Sequence, residues 1–255
     1  GATPLHFSAR HGSANVAETL LMAGADVGVR TKVHGWCPLD YAAESGHSEM
    51  IKLLIHSGAD VNSCAPKCGA TALDIAAGEE NNAKAVDVLL DAGANIEARD
   101  LKGYTPLHTA ALYARSDSAR SLLERGADVN ALTLSGASTL ILAAPFAGDG
   151  RATKVIDLLL RWGADETVTD KLSRRAADVV GLKVEEGIRL ADEVELVRKL
   201  LSNAPADRAW RRRGLPVLCR AYPGRVSPGC GCVGLVVKVA ELVEEGIFRN
   251  VVGYL

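Results

Sequence analysis

Large aromatic rings are scarce in this 255-residue chain: three Trp, five Tyr and three Phe make up 4% of it. A single deep core usually draws on more rings than that, so the composition points to small elements packed side by side. Cysteine is sparse as well. The six (Cys37, Cys64, Cys68, Cys219, Cys230, Cys232) are unevenly spread, which excludes a disulfide framework and suits a reducing compartment. Charge of one sign is not in excess either, with a formal net charge of −2 and a pI near 6.3. The chain as a whole therefore exerts no pull on nucleic acid or acidic membrane. The longest apolar run, Thr139 to Ala147, is interrupted by Pro145 and falls short of the ~20 residues of a membrane span. No membrane insertion is expected, and the expected location is cytoplasm or nucleus.

Catalytic signatures are missing in the same way. There is no His-Glu-x-x-His, no Gly-x-Ser-x-Gly, no phosphate loop and no kinase signature. One string, Gly229-Cys230-Gly231-Cys232-Val233-Gly234, does match a dinucleotide fingerprint. That fingerprint works after a strand and needs a second strand carrying a ribose-binding acid. Here Pro223 and Pro228 crowd the approach and the residues that follow leave no room for the unit. Zinc sites want two close ligand pairs, and neither Cys64 with Cys68 nor Cys230 with Cys232 finds a second pair. The reading is of no enzyme, no cofactor, no metal and no small-molecule substrate.

What the sequence does have is a period. One Leu recurs as Leu5, Leu39, Leu73, Leu107 and Leu140, at spacings of 33 to 34 residues. Around it stand Thr3-Pro4-Leu5-His6, Cys37-Pro38-Leu39-Asp40, Thr71-Ala72-Leu73-Asp74, Thr105-Pro106-Leu107-His108 and Ser138-Thr139-Leu140-Ile141. A degenerate sixth copy reads Arg175-Ala176-Ala177-Asp178. Small-residue pairs follow (Ala42-Ala43, Ala76-Ala77, Ala110-Ala111, Ala143-Ala144), then double leucines, then Gly-Ala at 24, 58, 93, 126 and 163. Thr is suited to cap a helix and Pro to its first position. The Leu and Ala residues then recur at helical spacing. In the second copy Gly46-His47 separates two helices, the second carrying Ile51, Leu53 and Leu54 inward. Gly58 falls where a left-handed C-cap is expected. A unit this thin cannot bury both faces alone, so neighbours must stack.

These residues resemble the ankyrin-repeat family over roughly residues 1–205. The resemblance implies a mainly α solenoid of helix–turn–helix units joined by hairpin-like loops. About six repeats are expected (1–31, 32–65, 66–99, 100–132, 133–169 and a degenerate 170–205), plus a short C-terminal tail over 206–255. Copy three lengthens its inter-helix loop, copy four lacks a Gly between its helices, and copy five inserts about four residues around Pro145 to Gly150. Copy six runs through a charged stretch from Lys183 to Glu195 and is expected to act as a cap. The opening Gly-Ala-Thr-Pro-Leu-His lies inside a motif, so the chain is expected to be a fragment whose first repeat exposes its outer face. The tail holds eight Lys and Arg against four Asp and Glu, with Trp210-Arg211-Arg212-Arg213 at its basic centre and a candidate amphipathic helix over Leu235 to Val251.

Function follows from the same resemblance. Motif residues build the scaffold, His6, His47 and His108 among them through hydrogen bonds, and variable residues at hairpin tips and on the first helices meet a protein partner. Carried over, the candidate partner-binding residues are Arg10, Trp36, Glu44, Lys102, Tyr104, Leu112, Tyr113 and Phe146, on a concave face rimmed by charge that includes Arg115. Four of the few rings fall in this set, as expected of an interface. Tyr41, beside motif Asp40, reads as core. The expected molecule is a monomeric scaffold that binds another protein. The alternatives are a regulatory segment of a larger enzyme, channel or ubiquitin ligase, and nucleic-acid association through the Arg-rich tail, which is not favoured.

Overall fold

The structure is a computed structural model. It describes residues 1–147, 150–181 and 194–204. The fingerprint at Gly229 to Gly234, the arginine run at Trp210 to Arg213, the helix sought over Leu235 to Val251, Cys219, Cys230 and Cys232 lie outside the described residues. So do Gly148, Asp149 and most of the charged stretch of the sixth copy.

In the first five copies the first helix begins at the motif. The helices are α1 (Pro4–His11), α2 (Ala14–Met22), α3 (Pro38–Glu44), α4 (Ser48–His56), α5 (Ala72–Gly78), α6 (Ala83–Asp91), α7 (Pro106–Leu112), α8 (Ser116–Glu124), α9 (Thr139–Ala143) and α10 (Arg151–Arg161). The N-cap residue sits extended, and the side chain three positions on reaches back to its N–H. Thr3 N donates to His6 Nδ1 at 3.0 Å, Cys37 N to Asp40 Oδ2 at 2.8 Å, Thr71 N to Asp74 Oδ2 at 2.8 Å, and Thr105 N to His108 Nδ1 at 3.2 Å. This reciprocal cap satisfies a backbone donor that has no partner inside the helix. At the far end Gly58 takes φ +94° and lets Ala59 N reach Leu54 O at 3.0 Å.

Stacking makes the core. The first helices form one layer, with α1 on α3, α3 on α5, α5 on α7 and α7 on α9, and the second helices form the other, from α2 to α10. Leu39, Leu73, Leu107 and Leu140 are fully buried, as are Ala42, Ala76, Ala110 and Ala143. The alanines let neighbouring helices approach closely, which explains how so few rings suffice. Ile51 and Leu54 point inward while Leu53 is only half-buried. Leucines buried in this way each contribute on the order of 2 kcal/mol.

The ends differ from the middle. In the fifth copy α9 is short and runs into a 3₁₀ turn, Ala144–Phe146, containing Pro145. The sixth copy makes a 3₁₀ turn, Ala176–Val179, where the others make an α-helix, and Gly181 N donates to Ala144 O at 2.9 Å. Residues 194–204 are helical and bury Val194, Val197, Leu201 and Ala204. At the opposite end Phe7, Val16 and Met22 are 56%, 53% and 80% exposed. Met50, Ala85, Ser118 and Val155, which occupy the position of Val16 in later copies, are all buried.

Candidate partner-binding cleft

Between repeats, the link is made by whichever side chain opens the second helix. His47 Nε2 lies 3.1 Å from Arg10 O, Asn82 Nδ2 donates to Ala43 O at 2.9 Å and Glu44 O at 3.2 Å, and Arg115 Nε donates to Gly78 O at 2.9 Å. Imidazole, amide and guanidinium do one job: each reaches the last carbonyls of the preceding repeat's first helix, which have no partner inside it. His6 makes a second type of link. Its Nδ1 accepts from Thr3 N, so the proton sits on Nε2, which donates to Trp36 O at 3.2 Å. Burial lowers the His6 pKa and takes that of His108 down to about 4, so both remain neutral scaffold groups.

These links set the row of residues at the first-helix ends beside the hairpins. Trp36 leaves its hairpin and packs edge-on against Tyr41 at 5.3 Å, which in turn meets the His6 ring at 5.6 Å. Tyr104, two hairpins on, stacks over His108 at 6.1 Å. Both rings are half-buried, whereas Tyr113 is 54% exposed and lies against Gly78, where an added Cβ would sit 3.3 Å from its ring. Trp36 and Tyr104 therefore serve repeat packing and still present an edge outward. Tyr41, read as core, is half-buried within the same ring cluster.

Trp36, Lys102, Tyr104, Leu112 and Tyr113 line one cleft of about 390 Å³, with Arg115 at its margin. Three further candidates stand elsewhere. Arg10 is exposed at the end of α1, Glu44 is half-buried at the end of α3, and Phe146 is half-buried against the core in the 3₁₀ turn after α9. Sequence reasoning missed Asp74, Ile75, Asp100 and Thr109, which also line the cleft. In the sequence Asp74 reads as a motif residue. The signal that it does more is its spacing, one turn ahead of Gly78, which ends α5 and is followed by Glu79.

Family models for ankyrin repeats match residues 1–65 (three copies), 68–101 (a single repeat) and 89–143 (many copies). The chain belongs to the ankyrin-repeat family. A comparison with the curated proteins found no match. Ankyrin repeats are generally protein–protein interaction modules and are typically non-catalytic. In this ankyrin chain α10 continues the stack past the last matched residue, packing on α8 and α9. Among the described residues no group of His, Cys, Asp and Glu could hold a metal ion, and no helix is long and apolar enough to cross a membrane. Cys37, Cys64 and Cys68 are free thiols. Burial pushes the Cys37 thiol up to about 12, with Asp40 adding to the shift, so it is an unreactive core group.

Proposed function

We propose that this ankyrin-repeat chain is a non-catalytic scaffold that binds a partner protein through the cleft lined by Trp36, Lys102, Tyr104, Leu112 and Tyr113. The convergence of these five residues on a single cleft carries the reading. Rings that already hold the scaffold are fixed before a partner arrives, so little side-chain entropy is lost on docking. Arg10 and Glu44 occupy related places at the ends of the first helices of the first two repeats, and Phe146 lies in the turn that follows the first helix of the fifth. A longer partner running along the concave face reaches them on either side of the cleft. Residues 1–205 form the binding module, and 206–255 is an appended tail. The chain acts as a monomer in a reducing cytoplasm or nucleus, a location that the exposed free thiols of Cys64 and Cys68 suit.

The test is affinity capture from a reducing cell lysate with the full chain, its Tyr113→Ala variant and its Trp36→Ala/Tyr113→Ala double variant. Tyr113→Ala is expected to lose most of a recovered partner while its melting temperature moves by less than about 2 °C, because a half-exposed ring contributes little to folding. The double variant loses the partner and melts lower, since Trp36 also packs on Tyr41. A partner recovered equally by all three would place binding elsewhere.

A further inference from the structure

The cleft has a charge and ring composition that selects among partners. Three rings line it, Trp36, Tyr104 and Tyr113, and so do three carboxylates, Asp74, Glu79 and Asp100. Asp74 is only 4% exposed. Its Oδ2 accepts from Thr71 N and Thr71 Oγ1, both at 2.8 Å, but its Oδ1 is covered and has no hydrogen-bond partner. A buried carboxylate without a counter-charge is costly. Consistent with that, burial pushes its pKa up to about 7, and neighbouring Asp100 adds to the shift.

The two cations on the lining do not answer this charge equally. Arg115 is engaged on the other side, with Nε on Gly78 O at 2.9 Å and Nη1 3.5 Å from Glu80. Lys102 stands exposed at its hairpin tip. Asp100 spends Oδ1 on its own turn, accepting from Lys102 N and Tyr104 N at 2.8 Å. The lining therefore holds three carboxylates against two cations, one of them engaged elsewhere, and its walls are ring faces. Aromatic faces attract cations through their quadrupole, and a carboxylate nearby reinforces the attraction. A carboxylate ligand meets like charge there, and an apolar one leaves Asp74 as it was.

We infer that this cleft receives a cationic side chain, a lysine or arginine of the partner segment, held between the rings above the Asp74 carboxylate. The inference rests on the reading that the cleft is the partner site, and it adds the chemistry of the residue that enters. A volume of about 390 Å³ holds one long side chain with its flanking backbone.

The experiment follows the Trp36 indole N–H of the full chain by NMR, assigned with Trp36→Phe, during titration with four blocked tripeptides. These are acetyl-Gly-X-Gly-amide with X as lysine, arginine, norleucine or glutamate. The lysine and arginine peptides are expected to shift the indole saturably and to bind about tenfold tighter than the norleucine and glutamate peptides. Asp74→Asn keeps an acceptor for Thr71 N and is expected to cut cation binding about tenfold, with a melting curve confirming that it folds. Tyr113→Ala cuts it as well, while Lys102→Gln strengthens it by removing a competing charge at the rim. Norleucine binding as tight as lysine would overturn the inference and leave the partner site standing with apolar chemistry. Cation binding undiminished in both Asp74→Asn and Tyr113→Ala would overturn it, and so would no shift from any peptide at about 10 mM. Failure of the partner-site reading shows separately, as capture that ignores Trp36 and Tyr113.

Discussion

Four residues occupy the same left-handed backbone position between the helices of successive repeats: Gly12 at φ +69°, Gly46 at +69°, Asn81 at +60° and Ala114 at +56°. Glycine adopts this conformation without penalty and asparagine tolerates it, but for alanine it costs roughly 1 kcal/mol. Copy four thus keeps the geometry and bears strain that its neighbours avoid. Ala114→Gly is expected to stabilise the chain by about 0.5–1 kcal/mol, somewhat offset by the loss of its buried methyl, as measured by urea unfolding. Unchanged or reduced stability would mean that the methyl contact outweighs the strain. The missing Gly was visible in the sequence. What stands in its place was not, because several residues can be held left-handed once their neighbours fix the chain. The same holds for the residue that follows, where His47, Asn82 and Arg115 share no chemistry a pattern would detect and converge only on the carbonyls they reach.

At the scale of elements, the turn after each second helix carries a comparable series. Asn62 accepts from Asn95 N at 2.7 Å and donates to Gly93 O at 3.2 Å, tying the second repeat to the third. Glu97 Oε1 accepts from Asp128 N at 2.8 Å. Asn130 repeats the asparagine pattern, accepting from Asp165 N at 2.8 Å and donating to Gly163 O at 3.4 Å. In the first repeat the position is Gly28, which has no side chain to bridge to the second. Space is open there, since an added Cβ would meet only Asp26 Oδ1 at 3.6 Å. Gly28→Asn is expected to rebuild the bridge to Gly58 O and Asp60 N and to raise stability by about 0.5–1.5 kcal/mol in thermal melts. No gain would show that the first two repeats do not share the spacing of the later pairs. Asp26, Asp60, Asp128 and Asp165 recur after four of the five Gly-Ala pairs, a local pattern that marks a turn, and Asn62 N and Asn130 N do donate to Asp60 and Asp128. The inter-repeat bridge was not legible, because it joins residues more than thirty positions apart.

For the whole molecule, stability is a sum over units and their interfaces. The middle repeats have two neighbours, whereas α1 and α2 leave Phe7, Val16 and Met22 to solvent. Hydrogen exchange is expected to run as a gradient, with α1 and α2 amides exchanging about tenfold or more faster than those of α5 and α6. Uniform protection along the stack would mean that the chain unfolds as one cooperative unit.

The sequence by itself determined the repeat, its helix pairs and the small residues that let them stack, because each depends on local spacing and on which residues cap, turn or pack. It also singled out Trp36, Lys102, Tyr104, Leu112 and Tyr113 as outward-facing. Only the tertiary structure decided that these five share one cleft while Arg10, Glu44 and Phe146 do not line it, and that Asp74 lies beneath it with an unpaired oxygen. Residues from three successive repeats meet there, and their separations are set by the stacking of helices rather than by distance along the chain.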